Sequence, residues 1–105
     1  MNRLAFTMKL LSDEFADEYK RRHDALWPEL KSLLKEKGIS NYAIFLDKKT
    51  CTLYAHLDIE NVDDNKTLAA YDIMKKWWKY MADIMETNED MSPVAVLLEE
   101  MFYLP

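Results

Sequence analysis

Tyr19, His23 and Trp27 recur at intervals of four residues, the spacing that stacks side chains on one face of an α-helix. They bring a phenol, an imidazole and an indole to one strip of surface. An imidazole, with an ordinary pKa of about 6.5, exchanges protons near neutral pH. A phenol, near about 10, is better at sharing or positioning a hydrogen bond than at acting as a free base. Arg22, next to the histidine, is placed to add a fixed positive charge at the edge of this strip. A face built only for packing is more usually made of Leu, Ile, Val and Ala. Aromatics at helical spacing are nevertheless often core, and a histidine among them is often a satisfied buried group. The rest of the chain decides between the two.

Trp77-Trp78 is the second aromatic feature. Adjacent residues of a helix point about 100° apart, so the two indoles face different directions. They either anchor a helix on a sheet or supply a flat wall for a ring-shaped ligand, with an indole N–H as donor. Tyr42 joins the group if its side of a strand is the one the helices cover. The inventory is then one titratable imidazole, two phenols and up to three indoles, without a nucleophilic Ser or Cys. It suits reversible proton transfer on a small neutral ligand. Sugars are a natural candidate, since their C–H faces lie on indoles while their hydroxyls bond Tyr and His. General acid–base catalysis contributes typically about 10²–10⁴-fold, enough for an isomerisation that already proceeds in water.

A chain of 105 residues with 50% hydrophobic content reads as one globular domain over residues 1–105. Its net charge of −5 and lack of a basic run argue against a nucleic-acid partner, whose phosphates need clustered Lys and Arg. The single Cys51 excludes an internal disulfide, and His23, His56 and Cys51 do not lie at metal-binding spacing. Neither metal nor cofactor is expected. The first residues are too short an apolar run for a signal peptide, and no run approaches the roughly 18 apolar residues of a membrane span. The expectation is a cytoplasmic protein without membrane contact.

The elements that must position these residues follow from periodicity. Residues 3–10 alternate, with Leu4, Phe6, Met8 and Leu10 on one side, which predicts a half-buried strand. Ser12 is placed as a helix N-cap, with Asp13 and Glu14 in the first turn. A stripe from Phe15 through Tyr19, His23, Leu26, Trp27, Leu30 and Leu34 then runs to about Lys37, and Gly38, the single glycine, is expected as the left-handed residue after the helix. Pro28 lies inside that stripe and either kinks the helix or starts a second one. Ile39 to Asp47 and Cys51 to Ile59 read as two strands joined by a polar turn, an antiparallel hairpin. His56 falls on the more polar row of the second. Asn61 or Asp63 caps a second helical region running to about Met85, and Leu97 to Leu104 alternates as a last strand. The apolar terminus should dock in the core or against a second subunit.

The order β-α-β-β-α-β is that of a ferredoxin-like α+β sandwich: a four-stranded antiparallel sheet with two helical regions on one face. The other face needs cover, and a homodimer of the dimeric α/β barrel type supplies it.

The run from Tyr19 through Arg22-His23 to Trp27-Pro28-Glu29, then Asn41-Tyr42-Ala43-Ile44, Trp77-Trp78 followed by Met81, Ser92-Pro93 and Phe102-Tyr103-Leu104-Pro105 resembles the L-rhamnose mutarotase family across the whole chain. The resemblance implies a cofactor-free, dimeric isomerase that interconverts the α and β anomers of L-rhamnose by acid/base opening and closure of the ring. It implies His23 as catalytic proton donor and Tyr19, Tyr42, Trp77 and Trp78 as substrate-binding residues, with Trp27 left to packing. In the implied mechanism the His23 imidazolium protonates the ring oxygen while a base or water takes the anomeric proton. Glu89 and Met91 stand where the family pattern has proline and asparagine. Competing readings are a cofactor-free ferredoxin-like monooxygenase, a non-enzymatic small-molecule-binding dimer, and a structural dimer whose aromatics are all core.

Overall fold

Alternation of Leu4, Phe6 and Met8 with Arg3, Ala5 and Thr7 builds strand β1 (Asn2–Lys9) in the computed structural model, which describes residues 2–105. The order then runs α1 (Ala16–Asp24), α2 (Pro28–Glu36), β2 (Ile39–Asp47), β3 (Thr52–Ile59), α3 (Val62–Thr67), α4 (Asp72–Met81) and β4 (Val96–Leu97). The sheet is antiparallel in the order β2-β3-β1-β4, the ferredoxin-like arrangement. The β3 row Leu53, Ala55, Leu57 and Ile59 is fully buried beneath the helices and forms the middle of the core. Ala55 lies in register between Phe6 and Ile44. A methyl group there leaves room over the sheet, and the rings of Phe6 and Tyr42 meet edge-on across it at 6.4 Å.

The first helical stripe is two helices. Ser12 does cap, its hydroxyl accepting from the Glu14 amide at 3.2 Å, but what it caps is a short 3₁₀ turn, Asp13–Phe15, leading into α1. Pro28 resolves the alternative: it starts α2, where its missing N–H is no loss. The proline ring drives the preceding Trp27 to φ −59 and ψ 130, an extended conformation that ends α1 early. After α2 the chain turns at Gly38, with φ +77 and its amide bonded to the Lys35 carbonyl at 3.0 Å. A Cβ at that glycine would lie 2.6 Å from Cγ of Glu60, so backbone freedom and close approach both require the residue.

The second helical region also breaks, into α3, a 3₁₀ turn at Leu68–Ala70, and α4. Asn61 is the cap, accepting from the Asp63 amide at 3.0 Å. A single helix over residues 61–85 would be roughly 37 Å long, more than the 35 Å longest dimension of the molecule. The chain bends at Tyr71 (φ −89, ψ 132) and keeps α4 over the sheet. Ile84 and Met85, beyond the end of α4, remain buried because that segment returns to pair with the end of β1, Leu10 opposite Met85.

β2 contains a bulge between Ser40 and Ala43, with Asn41 at φ +50. The extra residue turns Ile39 to the same side as Tyr42, Ile44 and Leu46, the side facing the helices. β3 begins at Thr52, one residue later than its sequence pattern suggests, because Cys51 takes φ +57 at the end of the turn.

The largest correction concerns the last strand, expected over Leu97 to Leu104. Only Val96–Leu97 pairs with β1, followed by the Leu98 amide bonding the Ala5 carbonyl at 2.8 Å. Leu97 lies opposite Phe6 in an antiparallel register. In that register residues 99–101 would face Leu4, Arg3 and Asn2, but they form no ladder with them. Met101, Phe102 and Leu104 are 86%, 80% and 79% exposed, so the terminus is not docked in the core. Arg3 ties it down, bonding Glu100 at 2.8 Å and lying 3.4 Å over the Tyr103 ring. Among the described residues no helix is long and apolar enough to cross a membrane.

Candidate functional site

The break at Pro28 sets α1 across from α4, and between these helices and the sheet lies a cavity of about 960 Å³, within the range of small-molecule sites. Tyr19, His23, Tyr42, Trp77 and Trp78 all line it. The structure therefore brings together the five residues that the family resemblance implies for the site. Trp27 is absent from the walls. Its ring packs at 5.1 Å on Trp77 and 5.3 Å on Tyr80, behind the cavity. His56 is remote, on the open face of the sheet, stacked 6.2 Å from Phe45.

His23 is held on three sides. Its Nδ1 lies 3.0 Å from the Tyr19 carbonyl, one turn back on α1. A carbonyl oxygen only accepts, so the bond places the proton on Nδ1 and leaves Nε2, in the neutral ring, with a free lone pair. The Tyr19 ring stacks on the imidazole at 4.2 Å, and Trp77 meets it edge-on at 5.3 Å. Burial lowers the imidazole pKa below its ordinary value, opposed by the Tyr19 carbonyl bond and more weakly by Asp24. The resting group at neutral pH is thus a neutral imidazole with a bare Nε2.

The two phenols behave differently from bases. Tyr19 is buried, and burial raises its pKa, with Tyr42 adding to the effect. Burial pushes the Tyr42 phenol up to about 12. Both stay protonated at neutral pH and serve as hydroxyl donors and acceptors. Neither supplies a phenolate to take a proton from a ligand.

Arg22 does not sit at the cavity edge. Its side chain turns to the opposite flank of α1, where Nη1 and Nη2 donate to Asp83 at 2.8 and 3.2 Å and Nε donates to Glu18 at 2.7 Å. The expected fixed charge near the ligand is instead neutralised in an ion network; the adjacent guanidinium groups of Arg21 and Arg22 hold the Glu18 carboxyl at about 2.

Periodicity gave no hint of several polar residues of the cavity walls. Asp17, Lys20 and Asp24 reach it from α1 and Asn65 from α3; Lys20 and Asp24 pair at 2.8 Å across one turn. These lie one position from Tyr19 and His23, so the neighbouring face of the same helix was the available signal. Ser92, Pro93 and Leu97 close another side. The loop carrying them is folded on itself: the Asn88 amide donates to the Ser92 carbonyl at 2.8 Å, and the Asp90 carboxylate accepts from the Ser92 amide and hydroxyl. Met91 takes φ +70 in its turn, a conformation an asparagine adopts more readily.

A cavity with indole walls, two protonated phenols and one imidazole suits a sugar-sized neutral ligand and proton exchange at its oxygens. A family model described as L-rhamnose mutarotase matches residues 3–104. An L-rhamnose mutarotase of Formosa agariphila is 52% identical over 104 residues, covering 99% of each chain. One from Listeria monocytogenes serotype 4b is 51% identical over 104 residues, again 99% of each. The crystal structure of a Formosa agariphila L-rhamnose mutarotase matches the fold with a TM-score of 0.91 and 50% identity, covering 100% of both chains.

Proposed function

The chain belongs to the L-rhamnose mutarotase family, and from that premise we infer that His23 carries the proton while Tyr19, Tyr42, Trp77 and Trp78 hold the sugar. The protein is an isomerase that interconverts the α and β anomers of L-rhamnose. The observation that carries the assignment of His23 is its place on the cavity wall with Nδ1 committed to the Tyr19 carbonyl, which leaves Nε2 as the nitrogen able to exchange a proton.

Mutarotation breaks the C1–O5 bond of the pyranose, moves one proton from the anomeric hydroxyl to O5, lets C1 rotate, and reverses the steps. Neutral His23 accepts the anomeric proton at Nε2, and the imidazolium so formed donates it to the ring oxygen. Proton donation by His23 then needs no protonated resting state, which its burial disfavours. Both oxygens are bonded to C1, so one nitrogen serves both with little movement. The phenols hold hydroxyls, and the indoles carry the C–H face of the ring.

The test is anomer exchange in L-rhamnose at equilibrium, by saturation-transfer NMR with catalytic amounts of protein, after subtraction of the buffer-catalysed rate. Exchange is accelerated, and kcat/KM rises with pH over the interval below the ordinary histidine pKa of about 6.5 to a plateau, because protonation of the lowered imidazole removes the accepting lone pair. A kcat/KM that falls over that interval would mean that the imidazolium is the resting acid. No acceleration at any pH would remove the function itself.

Stability follows the same sign. The folded state binds the His23 proton less well than the unfolded chain, so the contribution is complete above the ordinary histidine pKa and is lost as pH falls through the lowered one.

The site belongs, in this reading, to a homodimer. Phe45 and Val96 are 65% and 58% exposed on the open face of the sheet, beside the apolar tail, and a second copy covers them. Sedimentation should give twice the 12.5 kDa chain mass, and Phe45→Asp should shift it toward the monomer. A native protein monomeric at every concentration would overturn the dimer.

A further inference from the structure

Arg22 has more polar partners than any packing role requires. Its side chain is 9% exposed, and the guanidinium lies between α1 and the C-terminal end of α4. Nη1 donates to the Tyr80 carbonyl at 2.9 Å as well as to Asp83, Nη2 completes a fork on the Asp83 carboxylate, Nε holds Glu18, and the group lies 4.6 Å over the Tyr80 ring. Burying a guanidinium is costly, and an ion pair of this kind adds little net stability over a well-packed apolar pair. What directional bonds add is geometry: apolar helix contacts slide, whereas a planar fork fixes both distance and angle.

Arg22 directly precedes His23 on α1, and its partner Tyr80 lies one turn after Trp77 on α4. Any slippage of α1 along α4 therefore changes the 5.3 Å separation of the His23 and Trp77 rings. We propose that Arg22 is a positioning residue for the reaction, its fork on Asp83 and the Tyr80 carbonyl setting His23 against the indole wall that carries the sugar. The proposal rests on His23 as the proton carrier. A misplacement of about 1 Å at a reacting group costs on the order of 10²-fold in rate, so a loosened clamp is felt in kcat before it is felt in binding, which the phenols and indoles share.

Replacing the buried Arg22 risks unfolding, so the test acts on Asp83, whose side chain is 65% exposed. Anomer exchange is measured across L-rhamnose concentration in Asp83→Ala, Asp83→Glu and the native protein, with His23→Asn as reference. Asp83→Ala should lower kcat by roughly 10-fold, part of the full misplacement effect, with KM within about twofold. Asp83→Glu, which keeps a carboxylate for the fork, should recover most of the loss. An Asp83→Ala protein with native kcat would overturn the clamp. So would equal impairment of the alanine and glutamate variants, which would trace the loss to the turn after α4 and not to the ion pair. If His23→Asn itself exchanges anomers at the native rate, the reading beneath the proposal fails as well, and the two failures are told apart by which variant is silent.

Discussion

His23→Asn lowers the catalysed anomer exchange of L-rhamnose by about 10²–10⁴-fold, the usual contribution of a positioned general acid–base group, while sugar affinity stays within a few-fold. Asparagine offers an amide that forms hydrogen bonds but neither takes nor gives a proton near neutral pH. The surrounding walls remain, because Tyr42, Trp77 and Trp78 come from other elements. Rate and affinity must therefore part company, and saturation-transfer NMR for exchange beside a chemical-shift titration for binding reads both on one sample. Equal loss of rate and affinity would mean that the histidine only binds. An unchanged rate would remove it from the chemistry altogether.

Trp77→Ala has the largest expected effect on stability, about 3–5 kcal/mol, as for other buried Trp and Phe truncations. The indole is 6% exposed and packs among His23, Trp27 and Tyr80 at 5.3, 5.1 and 5.6 Å. The three neighbouring rings are held at separate places, His23 on α1, Trp27 at the N-cap of α2 and Tyr80 on α4, so they cannot collapse into the hole together. Against the roughly 5–15 kcal/mol of a typical domain this is a large share. Urea unfolding followed by circular dichroism measures it. Trp77→Phe, which keeps an aromatic ring and fills part of the volume, should recover more than half of the stability but little of the sugar wall. A loss under about 1 kcal/mol in Trp77→Ala would show that the indole is not a structural part of the core.

Local pattern and backbone chemistry were legible along the chain. Period-two alternation fixed β1 and the buried row Leu53, Ala55, Leu57 and Ile59. Spacing of four put Tyr19 and His23 on one face of α1, and residue type pointed to a pocket with Tyr42 and the Trp77-Trp78 pair, but it also included Trp27, which packs behind the cavity. Ser12, Asn61 and Gly38 marked element ends because their side chains, or the lack of one, act on amides and dihedrals within a few residues.

Tertiary structure decided what depends on partners distant in the chain. β4 ends at Leu97 although β1 continues to Asn2 in that register, so the alternation of residues 97–104 did not by itself make a strand. The Ser40–Ala43 bulge turned Ile39 inward because β3 supplied its register. A single α-helix over residues 61–85 gave way to the size of the fold it had to cover. Arg22 and His23 are neighbours in sequence, yet one is neutralised by Asp83, 61 positions on, while the other faces the cavity with a lowered pKa. Charge, burial and hydrogen-bond partners of these two groups are properties of the packed interface between α1 and α4, and no window of sequence contains both sides of it.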